Sequence, residues 1–301
     1  MGHNRPLLKR TYRLILVGIL LVSFGLRLYR LDYQSLRGDE GATYTYSIRV
    51  PVGLVEIMST DPHPPLYYVL MRGWMALAGD TEFALRFFSV VASVLLVASL
   101  AALGRMVLDA RWGIAAAFLV ALNPYHVFYA QDARSYPLVA LMGMLSTVSL
   151  WQAVRHGRRR DWVAYGAVVA AAMYTHYYAV FIVAFQGLFV AWDGWQRRRF
   201  PRSYVVVGMI DALLYLPWLL FSWGLVTGYG GFGETVGIVD AIWRPLLAFA
   251  GGQLLAPPAA AANGLFALPL LGLGAIGLWR SGRPAAWLTL LYLAVPLLSV
   301  Y

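Results

Sequence analysis

Two adjacent carboxylates, Asp39 and Glu40, stand in the run Arg37-Gly38-Asp39-Glu40-Gly41, on a turn bracketed by glycines. Carboxylates placed this way can take a proton from an attacking group or share a divalent cation. A second group lies between Asn123 and Tyr136, where Asp132, Arg134 and Tyr136 follow one another at every other residue. Arginine presents a planar fork of donors that matches phosphate oxygens, so Arg134 is a candidate anion ligand. Asp132 and Tyr136 share a face if a helix has already begun there. Two histidines complete the set: His63, in Asp61-Pro62-His63-Pro64-Pro65, and His176, in Thr175-His176-Tyr177-Tyr178. Each has a plainer reading when taken alone: a solvated turn, a charged helix start, or an aromatic belt at a membrane surface.

The elements that must position these residues follow from composition. Hydrophobic residues make up 60% of the 301 and charged residues only 13%. A soluble domain carries roughly 25% charged residues, so this chain lacks the polar surface to cover itself in water. Its apolar runs are long enough to cross a hydrocarbon core of ~30 Å, which takes ~20 residues of helix. There is no cysteine, which excludes disulfides and thiolate metal sites. The net charge of +10 would suggest nucleic acid in a soluble protein. Here the basic residues concentrate in short loops between apolar runs, the pattern of a membrane protein with no nucleic-acid partner.

The first apolar run, residues 14–26, follows Arg5, Lys9, Arg10 and Arg13 and lacks a small-residue cleavage site, so it reads as an uncleaved first span. A polar stretch, residues 30–80, follows as the first outer loop, with short apolar pieces at 42–49 and 65–77 that suit interfacial helices. Further spans are expected at 84–104, 112–129, 136–154, 204–226, 264–279 and from 284 onward. Residues 162–192 would form a helix of about 46 Å, too long for one crossing. Arginine clusters flank that stretch on both sides, and the positive-inside rule wants both on the cytoplasmic face, so it reads as a hairpin turning near His176. The result is an all-α polytopic helical membrane protein of about nine spans, a single transmembrane domain over residues 1–301. With the amino terminus inside, the inner segments hold 16 basic residues and the outer ones eight, whereas ten of the 14 acids lie outside. The chain ends at Tyr301 within an apolar run, so a further carboxy-terminal part is expected.

On that topology the carboxylates face outward, close to where a lipid-borne substrate would arrive. Moving a sugar from a lipid phosphate needs a base for the acceptor's proton and stabilisation of the leaving phosphate, and little general acid. Asp211, inside a span, is expensive in hydrocarbon and is a functional candidate or a polar contact between helices. Gly228, Gly230 and Gly233 match a dinucleotide fingerprint, but they follow a membrane span and open no βαβ unit, so no dinucleotide site is expected.

Residues 26–31, Gly38-Asp39-Glu40, His63-Pro64-Pro65-Leu66-Tyr67-Tyr68, Gly79-Asp80-Thr81-Glu82 and Arg86 together resemble the amino-terminal half of GT-C-class glycosyltransferases. The branch they are similar to contains protein O-mannosyltransferases and the lipid A aminoarabinose transferase, and the runs 129–136 and 175–178 fit its bacterial members. The resemblance implies a polyprenyl-phosphate sugar donor, an acceptor that is lipid, polysaccharide or protein, and inversion at the anomeric carbon. It implies Asp39 as base or acceptor-orienting carboxylate, Glu40 as its partner, and Asp132 where relatives carry Glu. Arg134, His63, Tyr136 and His176 are then candidate substrate ligands. Some members use a divalent cation and others do not; if one binds here, Asp39, Glu40 and Asp132 are its candidate ligands. The expected place is a bacterial-type plasma membrane, with the site on the extracytoplasmic side. A lipid-linked saccharide flippase is the rival class, but it would place charges near the midplane and often shows internal repeats, neither of which dominates here.

Overall fold

The computed structural model describes residues 4–228, except 54, 55, 57, 58, 60 and 62, together with 276, 284, 288 and 289. Every regular element among them is an α-helix: α1 (Asn4–Leu28), α2 (Gly38–Arg49), α3 (Leu66–Ala78), α4 (Glu82–Val107), α5 (Ala110–Leu122), α6 (Pro124–Ala130), α7 (Tyr136–His156), α8 (Arg159–Thr175), α9 (Ala179–Gln196) and α10 (Arg202–Gly228). Five of these (α1, α4, α7, α9 and α10) are long and apolar enough to cross a membrane, and α5 with α6 makes a sixth if that bent pair is one span. The chain is a multi-pass helical membrane protein. The spans expected at 14–26, 84–104, 136–154 and 204–226 each coincide with one helix; those expected at 264–279 and from 284 onward lie outside the described residues, as do Gly230 and Gly233.

The hairpin over 162–192 forms α8 and α9, which break at His176. The Tyr165 hydroxyl donates to Gln186 Oε1 at 3.1 Å, and these residues lie almost equally far on either side of the break, so the two helices run antiparallel. Gln186, fully buried, also donates to Ser146 Oγ at 2.8 Å and Thr147 Oγ1 at 3.1 Å on α7. Around that polar centre Phe185, Phe189, Trp162, Val169 and Leu150 fill the interior. Asp211 faces α8 where Gly166 lets the helices approach: a Cβ at Gly166 would meet its carboxylate oxygens at 3.5 and 3.6 Å.

Two expectations are corrected. Residues 112–129 are not one straight span: the helix breaks at Asn123 and bends by 62°. Pro124 has no N–H to return to the preceding turn, and the Asn123 side chain accepts from His126 N–H at 3.1 Å as the cap of α6. The carbonyls released at the break are taken by Arg27, which is fully buried and donates to Ala121 O at 2.9 Å, Val120 O at 3.2 Å and Ser93 Oγ at 2.8 Å. Secondly, α7 begins at Tyr136, with Pro137 in its first turn, so Asp132 precedes the helix and shares no helical face with Tyr136.

The first outer loop contains both expected interfacial helices, α2 and α3. The former starts at Gly38, upstream of the expected position, because Glu40 reaches back to accept from Arg37 N–H at 2.9 Å and so caps the helix start. Trp74 of α3 donates to Ala84 O at 2.8 Å, and the Thr81 side chain caps α4. Gln131 donates to Tyr29 O at 2.8 Å and Arg27 O at 3.2 Å, carbonyls at the open end of α1. These bonds gather the first and second outer turns at one end of the bundle.

Candidate active site

Glu40 and Arg86 form the fixed point of the site. The carboxylate is fully buried and accepts from Arg86 Nε at Oε1 and from Arg86 Nη2 at Oε2, both at 2.8 Å, a two-toothed pair. Ala133 N–H donates to Oε1 at 3.0 Å, so one side chain ties α2, α4 and the second outer turn together. Arg86 spends its remaining donors on Leu31 O at 2.8 Å, Gln34 O at 2.7 Å and Ser35 O at 3.1 Å. Burial alone would raise the Glu40 carboxyl, but the Arg86 guanidinium and the Arg37 and Ala133 N–H groups outweigh it and hold it below the usual range. Neither oxygen of Glu40 has a vacant direction, which fits a positioning role.

Asp39, one residue earlier, is exposed, and its carboxylate makes no hydrogen bond or ion pair among the described residues. Its backbone carbonyl accepts from Arg134 Nη1 at 3.3 Å, which brings the two outer turns together. Arg134 is half-buried, its Nε is buried without a partner, and its Cζ sits 5.6 Å from the Tyr136 ring centre. A half-buried guanidinium with an unpartnered Nε is poised for an anion. Asp132, also half-buried, has its carboxyl pushed up to about 6 by burial, then by Glu40, with Asp39 adding to the effect and Arg37 and Arg134 opposing it. The three groups lie within electrostatic reach, and two of them are carboxylates with free oxygens.

On the other side of Arg134 an aromatic ladder leads to the histidines. The Tyr136 ring lies 5.8 Å from His176, and His176 lies 5.3 Å from His63. His63 is held by Asp61, whose Oδ1 accepts from both His63 Nδ1 and His63 N–H and whose Oδ2 accepts from the Tyr68 hydroxyl at 2.8 Å. A cavity of about 390 Å³ adjoins Tyr136, lined also by Tyr125, His126, Tyr129 and Tyr178. The structure thus brings Asp39, Glu40, Asp132 and Arg134 into one cluster, and Tyr136, His176 and His63 into a ladder extending from it. Sequence reasoning missed Asp61 as the partner of His63 and Tyr68 as the second partner of Asp61. Their signal was an Asp two residues before a His in a proline-stiffened turn.

The carboxylates do not assemble as a cation site among the described residues. Glu40 has both oxygens engaged by the guanidinium and two N–H groups, and no group of three or more His, Asp or Glu among the described residues is arranged to hold a metal ion. The donor set does not fit the three-carboxylate site that the sequence allows.

Residues 62–221, more than half of the chain, match the family described as dolichyl-phosphate-mannose-protein mannosyltransferase. The chain belongs to that family of membrane glycosyltransferases, in line with the resemblance its motifs carry. His63, Asp132, Arg134, Tyr136 and His176 fall inside the matched residues; Asp39 and Glu40 precede them. Among solved structures the chain is similar to the S. cerevisiae protein O-mannosyltransferase Pmt1-Pmt2 complex bound to the sugar donor, with 16% identity and a TM-score of 0.51. At that identity the likeness concerns the fold; it covers 79% of this chain and 36% of the yeast chain. This chain therefore spans little over a third of that relative's length. Comparison with curated proteins gives no match.

Proposed function

We propose that this protein transfers a sugar from a polyprenyl-phosphate donor to an acceptor hydroxyl at the extracytoplasmic membrane face, with inversion. The observation that carries the reading is the Arg134 guanidinium, whose buried Nε has no partner, within electrostatic reach of the carboxylates of Asp39 and Asp132 at one end of the helix bundle. Family membership supports the donor class and makes mannose the first sugar to try. A protein acceptor is favoured because the yeast relative is a protein O-mannosyltransferase; lipid and polysaccharide acceptors are the alternatives.

Asp39 takes the proton of the acceptor hydroxyl as its oxygen attacks the anomeric carbon opposite the phosphate. The carbon–oxygen bond to phosphate breaks, the electron pair leaves with the phosphate, and Arg134 receives that charge through fixed, partly desolvated donors. One displacement of this kind inverts the carbon. Asp132, with its raised pKa, is the second candidate base, and Glu40 keeps Asp39 in place through the cap of α2. The arginine clusters between α7 and α8 and between α9 and α10 support a cytoplasmic side opposite the site, in a bacterial-type plasma membrane.

The test is incubation of purified full-length protein with polyprenyl-phosphate-mannose and peptide, lipid and polysaccharide acceptors, read by mass spectrometry. A glycosylated acceptor of inverted anomeric configuration is expected. If vesicles show lipid movement while no new covalent product forms with any acceptor, the protein is a transporter.

A further inference from the structure

His63 and His176 are fixed in opposite tautomers by their own hydrogen bonds. The ionised Asp61 carboxylate only accepts, so His63 carries its proton on Nδ1 and in its neutral form presents a lone pair at Nε2. His176 is the reverse: its Nδ1 accepts from Tyr178 N–H at 3.2 Å, so its proton is on Nε2. Burial, then the neighbouring His63 and Arg134, drive the His176 imidazole down to about 3, and it stays neutral. The rings stand edge to face with centres 5.3 Å apart, and neither Nε2 has a hydrogen-bond partner among the described residues. One acceptor and one donor are thus held on neighbouring rings. A hydroxyl group, which both donates and accepts, satisfies both at once; a phosphate satisfies only the donor.

We infer that His63 and His176 form a subsite for one hydroxyl of the donor's sugar, with Asp61 as the residue that positions His63. The inference rests on the proposed function and adds where the sugar lies. The ladder from Arg134 through Tyr136 to His176 and His63, in steps of 5.6, 5.8 and 5.3 Å, separates the phosphate end from the saccharide end. Tyr177, 5.6 Å from His63, adds an aromatic face beside the subsite. Asp61 belongs to this apparatus and not to the carboxylate cluster: both its oxygens are committed to His63 and Tyr68. It therefore acts through His63.

The experiment compares binding of dolichyl phosphate and dolichyl-phosphate-mannose to the purified full-length protein in nanodiscs. Wild type should hold the mannosylated lipid ~5–10-fold more tightly, the scale of one or two hydrogen bonds. His63→Leu should erase that difference and leave the bare phosphate lipid unchanged, because Arg134 is intact. His63→Gln, which keeps an acceptor near the Nε2 position, should restore most of it. Asp61→Asn should weaken only the mannosylated lipid, and nitrogen NMR of labelled histidine should show His63 losing its single tautomer. A sugar-dependent difference that persists in His63→Leu overturns the inference, as does equal binding of the two lipids by wild type. Binding of neither lipid by wild type would instead strike the proposed function, and the subsite with it.

Discussion

Asp39 and Glu40 are neighbours in the chain and opposites in the structure. Glu40 is fully buried and accepts four hydrogen bonds, from two guanidinium nitrogens and two backbone N–H groups. Asp39 is exposed, with no partner for its carboxylate among the described residues. The same contrast separates two arginines: Arg86 has its donors committed, whereas Arg134 has a buried Nε with none. Saturated groups hold the outer turns in place, and unsaturated ones beside them remain available to a substrate. The adjacency is itself the device, since fixing Glu40 at the start of α2 fixes the residue before it.

The largest expected effect is on the saturated pair. Arg86→Ala leaves Glu40 buried without its cation and should cost about 3–5 kcal/mol of stability. Thermal unfolding in detergent would show it, and the Glu40→Gln, Arg86→Gln double variant should lose less than the two single losses added together. Additive losses would show that the pair is not coupled. On the unsaturated side, Arg134→Ala should weaken donor binding with little change in unfolding temperature. Arg134→Lys should recover part of it, because lysine keeps the charge and loses the fork. Unchanged donor affinity in both variants would make Arg134 a packing residue.

A smaller effect sharpens the contrast through pH. The Asp132 carboxyl lies at about 6 in the fold, against an ordinary value of 3.8. Folding favours its protonated form, so the stability it contributes is present below 3.8 and is lost as pH rises through about 6. Asp132→Asn removes that loss. Wild type and variant should unfold alike at low pH, and the variant should be more stable by about 1 kcal/mol at pH 8, a value discounted for partial exposure. The smallest expected effect is structural: a cysteine at Arg158, exposed in the loop before α8, should be labelled only from the cytoplasmic side without loss of folding.

Much of this contrast was legible in the sequence and some was not. The α8–α9 hairpin was readable because a 31-residue apolar run is too long for a bilayer and both its flanks are basic. The approach of Asp39 to Arg134 was legible only as two outward-facing turns, since topology brings loops to one face without fixing contacts. The break at Asn123 had a local signal, a capping residue followed by proline, that a hydropathy run conceals. Arg27 had none, as an arginine near a helix end reads as an interfacial anchor. Its burial depends on carbonyls freed 93 and 94 residues away by Pro124. The division of labour between Asp39 and Glu40 was equally hidden, because it is set by Arg86, 46 residues beyond Glu40.

The most direct test of the account is Asp39→Asn in the purified full-length protein, with donor binding, unfolding temperature and product formation measured on one preparation. The substitution keeps the shape and removes the proton acceptor, and the Asp39 carboxylate makes no hydrogen bond or ion pair among the described residues. Unfolding should stay within about 0.5 kcal/mol of wild type, polyprenyl-phosphate-mannose should bind as before, and transfer should fall ~10²–10⁴-fold. Undiminished transfer by Asp39→Asn would contradict the account, and Asp132 would then take the place of the base.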